Sequence, residues 1–312
     1  MILGGWTRIG DGSMQWTDRV YGAVEINGPG VLALIGSPTF QRLKGIKQAG
    51  PSAFAYPFKT VTRYEHSLGV FLLLRRLGAD GREQVAGLLH DISHTAYSHA
   101  VDFVFSSQEQ DHHEELKPVF LDRADIVSAL KGLGLTPRDF YDDSIYPLLE
   151  RPIPWLCADR LDYFLRDGLA CGELSPAEAD RILAHLAVFG RTIVMTDRVV
   201  AREAAALFKE MNRHWWASSA ESFIYNEFAD ALREGFALGV LRKTDLYEDD
   251  AHVLDRLHAA RSPIIEAKLD TITHFDPERL TGFVPRVVPK NRWIDPPVVV
   301  DGKIRRLSEL DG

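Results

Sequence analysis

The chain has 312 residues, 46% of them hydrophobic, enough for one large domain or a main domain with a smaller appendage. A formal net charge of -8 argues against broad nucleic-acid binding or an anionic membrane surface, and two cysteines, Cys157 and Cys171, make no disulfide framework. No apolar run approaches the ~18 residues of a membrane span, and the opening MILGGWTRIGDG has no basic start followed by an apolar core, so a cytoplasmic protein is expected.

In chain order, Val20 to Ile26 alternates like a strand and Asn27-Gly28-Pro29-Gly30 reads as a turn. A helix from Val31 stops before Ser37-Pro38, and a second follows with Phe40, Leu43 and Ile46 on its buried side and Arg42, Lys44 and Lys47 as positive charge. After a loop containing Pro51 and Pro57, Arg63 opens a strongly apolar helix to Leu77. A shorter helix from about Arg82 to His94 packs antiparallel on it. His90 and His94, four apart, then share one helix face, and His66 and His90 come close in space. Beyond a break at Thr95–Tyr97, a helical turn over Ser98–Phe103 puts His99 and Asp102 on one side. Residues 118–150 suggest two short helices around a Gly132–Pro137 break. Trp155–Ala170 reads as one helix, apolar along Leu161, Phe164, Leu165 and Leu169. Arg191–Val200 suggests a β-hairpin turning at Thr196-Asp197. Long helices over Glu203–Leu241 and Ala251–Ala260 and a small hairpin over Val298–Ile304 complete a mostly α fold with minor β-hairpins.

Six of the eleven histidines lie between His66 and His113. Imidazoles and carboxylates on buried helices are costly unless something compensates them, and a metal ion does so. His66, His90, Asp91 and a later carboxylate would supply two nitrogens and two oxygens, with open positions for water. Bound water is then acidified and becomes a nucleophile near neutral pH.

The segments Arg63-Tyr64-Glu65-His66-Ser67-Leu68-Gly69-Val70, His90-Asp91-Ile92-Ser93-His94, Ser98-His99, His113-Glu114 and Asp159-Arg160-Leu161-Asp162-Tyr163 together resemble the HD-domain phosphohydrolases. Within them the likeness is greatest to the deoxynucleoside triphosphate triphosphohydrolases, and it runs over roughly residues 20 to 260. The resemblance implies an HD helical bundle over residues 1–265, with its metal core at about 40–170 and a helical continuation over 171–265. Residues 266–312 are expected as a small C-terminal extension with short β elements. It implies His66, His90, Asp91 and Asp159 as ligands of a divalent transition metal, iron or manganese before zinc or nickel. His99, Asp102 and His113 match the family's second cluster, which works on the scissile phosphate or holds a second ion such as magnesium or manganese. Arg63 and Arg160 match phosphate-contacting residues; Gln48, Tyr163 and Asp167 match positions lining the sugar. His94 matches a polar position beside the site, either supporting the ligands or holding a second metal.

Two residues keep a plainer reading beside this one: Tyr163 either packs on Phe164 or touches substrate, and Arg166 pairs with a neighbouring helix carboxylate. The likeness thins after the hairpin, where the subgroup's arginine and tyrosine fall on Met211 and Ser219, with Arg213 one turn round. The expected activity is metal-dependent hydrolysis of a nucleotide, foremost a deoxynucleoside triphosphate to deoxynucleoside and triphosphate. No specific nucleic acid or membrane partner is expected, and a homo-oligomer is. The alternatives are a dinuclear iron oxygenase on the same scaffold, a phosphatase acting on another phosphate ester, and a catalytically weak nucleotide-sensing module.

Overall fold

The computed structural model describes residues 5–10, 13–105, 112–286 and 289–310; the side chains of Phe105, His112, His113 and Glu114 lie outside the described residues. Strands β1 (Gly5–Gly10), β2 (Ser13–Asp18) and β3 (Gly22–Asn27) form an antiparallel sheet in sequential order. The expected strand from Val20 begins later, because Asp18 Oδ1 accepts from the backbone nitrogens of Val20 (2.8 Å) and Tyr21 (3.2 Å) and folds them into a turn. Helix α1 (Pro29–Gly36) stops at Ser37, whose hydroxyl caps α2 (Pro38–Gln41). A short α3 (Ser52–Ala55) lies in the following loop.

Helix α4 (Arg63–Arg76) organises the rest. Thr62 and Glu65 form a capping box at its start, and every residue from Arg63 to Leu74 is buried. A helix covered on all sides needs neighbours all round, so its polar residues near the N-terminus must find partners. It packs against α5 (Gly81–Leu89) and α9 (Ala158–Cys171). Between these lie α6 (Ala100–Phe105), α7 (His112–Leu121) and α8 (Ala124–Gly132). The expected helix over 82–94 ends at Leu89. Asp91 is drawn to Arg63 (2.7 Å) and to His94 (3.1 Å), and Arg42 caps the Ile92 carbonyl at 2.8 Å. His90 and His94 therefore share a turn, not a helix face.

Helix α10 (Pro176–Ala184) leads into β4 (Leu186–Phe189) and β5 (Thr192–Met195). This hairpin turns at Gly190 (φ 64°), not at Thr196-Asp197, because Asp197 caps α11 (Arg198–Met211) through the nitrogens of Val199 and Val200. A π-helical turn, Asn212–Trp216, joins α11 to α12 (Ser219–Ala237), followed by α13 (Asp250–Ala259) and α14 (Pro263–Thr273). Strands β6 (Pro297–Val300) and β7 (Lys303–Arg306) extend the β4–β5 sheet, with β5 and β6 parallel, before α15 (Leu307–Leu310). Thus the segment after residue 266 is woven back into earlier elements: α14 lies on α12, and β6 lies on β5.

Two apolar clusters result. One spans α4, α5, α9 and α11; the other spans Ala96–Phe103, α12, α13 and α14. A cavity of about 650 Å³ is lined by residues from elements of both clusters. Among the described residues, no helix is long and apolar enough to cross a membrane.

Candidate metal centre and adjoining cavity

His66, on the first turn of α4, and His90 and Asp91, just past α5, place ligand atoms within 4.8 Å of one another. The first residues of α9 add Asp159, whose Oδ1 lies 2.9 Å from His66 Nε2 and 3.5 Å from His90 Nε2. The two Nε2 atoms are 3.2 Å apart. His90 Nδ1 donates to the Gly87 carbonyl at 2.8 Å, which leaves its Nε2 a bare lone pair. His66 Nδ1 donates to Asp162 Oδ2 at 2.8 Å. Two imidazole nitrogens and two carboxylates thus converge from three elements with their outer atoms already engaged.

That arrangement fits a divalent cation. Without one, burial disfavours the His66 imidazolium, but hydrogen bonds to Asp159 and Asp162 and the charge of Asp91 overcome burial and raise it to about 10. Burial likewise opposes charge on Asp159 and Asp91, yet His66 and His90 hold Asp159, and Arg63, His90 and His94 hold Asp91, well below the usual carboxylate range. The site is built for compensating positive charge, and a cation shared by the four donors supplies it without a proton.

Asp162 is a residue whose role the sequence did not disclose. Its carboxylate takes His66 Nδ1, Arg166 Nε (2.9 Å), Arg166 Nη2 (2.9 Å) and the Tyr21 hydroxyl (2.8 Å). Arg166 goes on to Asp18 at 3.1 and 3.2 Å, and all three charged side chains are fully buried. Arg166 therefore pairs as expected, and the pair orients the His66 imidazole through its Nδ1. Gly69 permits it: a Cβ there would stand 2.1 Å from Asp162 Oδ1 and 2.0 Å from Arg166 Nη2. The spacing Asp159-x-x-Asp162-x-x-x-Arg166 on an apolar helix was the available signal.

Arg63 lies on Asp91 (2.7 Å) and on Ser98 Oγ (3.0 Å). Ser98 and Tyr97 both have positive φ (53° and 59°), a conformation costly for residues with side chains. Ser98 Oγ donates to the Lys47 carbonyl (2.7 Å), and Asp250 accepts from the nitrogens of Tyr97 (2.6 Å) and Lys47 (2.9 Å). This braced turn delivers His99, whose ring stands 5.0 Å from that of His94. His99 Nδ1 donates to Asp102 Oδ2 at 3.1 Å. Burial first, then the charges of His94, Arg63 and Arg292, keep His99 neutral well below the ordinary histidine range. The side chain of His113 lies outside the described residues.

The remaining expected residues all border the cavity, but they differ in what they are free to do. Gln48 Oε1 is buried without a hydrogen-bond partner. Asp167 Oδ2 accepts from Trp216 Nε1 at 2.9 Å, and Tyr163 stands edge-on to Trp216 at 5.1 Å. Arg160, by contrast, spends Nη1 on the Trp155 (2.6 Å) and Arg151 (3.1 Å) carbonyls and Nη2 on Arg151 (3.1 Å). Glu150, Cys157 and Asp159 also approach within 4.8 Å. Burial, then Glu150, pushes the Cys157 thiol far up, and Arg160 Nη1 stands 3.1 Å from its sulfur, so these three do not suit a cation. Sequence reasoning also missed Lys59, Glu221, Trp215 and Arg292, which line the cavity from elements far apart in the chain.

Comparison with known proteins agrees with this geometry. The HD domain family matches residues 63–153, the span that carries His66, His90 and Asp91. The chain is 38% identical over 299 residues to the uncharacterized protein YdhJ of Bacillus subtilis, covering 93% of this chain and 90% of that one. It is 34% identical over 263 residues to the metal-dependent phosphohydrolase cns2 of Cordyceps militaris, covering 82% and 76%. It is also 24% identical over 324 residues to the deoxynucleoside triphosphate triphosphohydrolase SAMHD1 homolog of Dictyostelium discoideum, covering 88% and 61%. With its histidines and aspartates converging as that family requires, the chain belongs to the HD-domain metal-dependent phosphohydrolases.

Proposed function

We propose that the chain hydrolyses nucleotides, with deoxynucleoside triphosphates as substrates and deoxynucleoside and triphosphate as products. The observation that carries this reading is the shape of the cavity relative to the metal donors. Asp159, Tyr163, Asp167 and Cys171 all border it at four-residue intervals on α9, so it follows that helix for about 18 Å at ~1.5 Å per residue. Along α9, Asp159 of the donor set lies at the N-terminal end, and Trp216 and Trp215 lie farther along, bonded to Asp167 (2.9 Å) and Glu173 (3.0 Å). A phosphate at the donors then leaves room along the helix for a sugar beside Tyr163 and Asp167 and a base near the aromatic end. Similarity to the Dictyostelium enzyme, named for this substrate, supports the same reading.

His66, His90, Asp91 and Asp159 would hold the ion, iron or manganese by preference. When bound it polarises a phosphate oxygen and acidifies water. The residues of the chain divide the other tasks. Arg63 keeps Asp91 ionised and oriented. Asp102 holds the proton on His99 Nδ1, so in the neutral ring Nε2 is the unprotonated nitrogen that takes or returns a proton at the phosphate. Neutrality of His99 at pH 7 suits the accepting role. His113 is assigned to the same cluster on the family pattern. A second ion, magnesium or manganese, would be placed near His94 and His99. We also assign the protein to the cytoplasm as a homo-oligomer, to be checked by fractionation and light scattering.

The runner-up is a dinuclear iron oxygenase, favoured by His94 Nε2 lying 3.1 Å from Asp91 Oδ1 with the His99 ring 5.0 Å from that of His94. Turnover of a nucleoside mono- and triphosphate panel, with and without oxygen, separates the two. A hydrolase works anaerobically and releases inorganic phosphate, pyrophosphate or triphosphate. Oxygen-dependent turnover without such products would favour the oxygenase.

A further inference from the structure

A polyphosphate brings several negative charges into a net-acidic protein, so cations that the protein itself does not neutralise are needed to receive them. Most cavity cations are already spent. Lys59 binds Ser52 (2.6 Å) and Glu221 (2.9 Å), Arg63 binds Asp91, and Lys117 binds Asp143. Arg151 and Arg160 bind backbone carbonyls. Two remain: Lys290 and Arg292, which line the cavity and, among the described residues, have no carboxylate within salt-bridge distance.

Their delivery is specific. Asn212 opens the π-helical turn directly after Met211, the last residue of α11. Its side chain is buried, donating to Asn291 Oδ1 at 2.7 Å and accepting from the Arg292 nitrogen at 2.9 Å. Arg292 Nη1 touches only the Lys290 carbonyl, at 3.3 Å. Downstream, the Asp295 nitrogen donates to the Pro154 carbonyl at 3.0 Å, and Asp295 itself takes the Ser308 nitrogen and hydroxyl. The segment leading into β6 is thus pinned on both sides of a half-buried arginine. The charge of that arginine is felt at Tyr163 on α9 and Tyr225 on α12, two tyrosines whose hydroxyls burial above all holds neutral.

We infer that Arg292, with Lys290 beside it, binds the phosphate groups of the substrate beyond the one at the metal donors. The inference rests on the reading of the substrate as a polyphosphate. It makes the C-terminal segment part of the active site, and it assigns Asn212 as the positioning residue that holds Arg292 there.

The test is calorimetric binding to the manganese-loaded full chain, with inorganic tripolyphosphate and orthophosphate as probes. The parent should bind tripolyphosphate more tightly than orthophosphate. Arg292→Gln should weaken tripolyphosphate by about 10- to 100-fold, the worth of a charge-assisted contact, with orthophosphate affinity and metal content unchanged. Arg292→Lys should restore part of the loss, and Asn212→Ala should reproduce part of it. Equal affinities in parent and Arg292→Gln would overturn the inference. So would a parallel loss of both probes and of metal, or a parent that ignores tripolyphosphate. Tight tripolyphosphate binding by a chain that hydrolyses no deoxynucleoside triphosphate would uphold Arg292 and reject the proposed substrate instead.

Discussion

Asp162→Asn is the most informative perturbation of the metal centre, because Asp162 supports His66 from outside the ligand set. The change keeps the shape and removes one buried charge. Breaking a buried ion pair costs about 3–5 kcal/mol, and Arg166 keeps its two contacts to Asp18, so the lower end, about 3 kcal/mol, applies. Both partners are fully buried, so solvent screening does not reduce this. At ~2.1 cal/mol/K per residue over 312 residues, the melting temperature of the metal-free protein should fall by about 5 °C. Loss of the carboxylate behind His66 should also weaken metal binding by about 10- to 100-fold. Burial alone would raise the Asp162 carboxyl, but Arg166 and His66 hold it below its ordinary value. Its contribution is therefore present above the unfolded carboxylate pKa of about 4 and is lost as pH falls through the depressed folded value, so the parent's advantage should shrink in acid. The assay is thermal melting with manganese titration. Asp18→Asn is the control, since it breaks the other half of the Arg166 network without touching His66. It should cost stability and leave metal affinity nearly intact. An Asp162→Asn protein that melts and binds metal like the parent would refute the reasoning.

Other outcomes follow from the same geometry. His99→Ala should retain the metal and lose about 10²- to 10⁴-fold in turnover, and the acid limb of the parent's kcat/KM profile should lie below pH ~6.5, because the folded site keeps His99 neutral there. Full activity in that variant would leave His99 a structural residue. Asp250→Ala strips two buried backbone N–H groups of their acceptor and should cost about 2–4 kcal/mol in urea denaturation, with kcat falling more than metal content. Unchanged kcat would mean that the Tyr97–Ser98 turn does not aim His99. Gly69→Ala should force α4 from α9 and lower both melting temperature and metal occupancy, and a variant with normal occupancy would contradict the tight approach.

The sequence made the helical fold and the approach of His66, His90 and Asp91 legible for a physical reason. Histidines and aspartates in apolar helices must meet partners, and antiparallel helices joined by a short loop bring His66 and His90 together. The helix over 82–94 was overextended because apolar spacing says nothing of Arg42 and Arg63 reaching in from other segments to end it. Thr196-Asp197 has turn chemistry, but Asp197 caps α11 and the hairpin turns at Gly190 instead. Arg160 has the charge of a phosphate binder, yet its guanidinium is held by carbonyls of a loop whose path no local pattern reveals. Arg292 lay in a segment read as a small extension. The Asn212 contact, spanning 80 residues, and the Asp295–Pro154 bond bring it to the cavity.

The most direct test of the whole account is phosphorus NMR of the purified, manganese-loaded protein incubated without oxygen with a deoxynucleoside triphosphate, alongside Asp91→Ala. The parent should release tripolyphosphate, with the phosphorus-free deoxynucleoside read by chromatography, and the variant should give neither product nor bound metal while keeping its helix content. A parent that yields no phosphorus product, or an Asp91→Ala protein that hydrolyses the nucleotide as well as the parent, would contradict it.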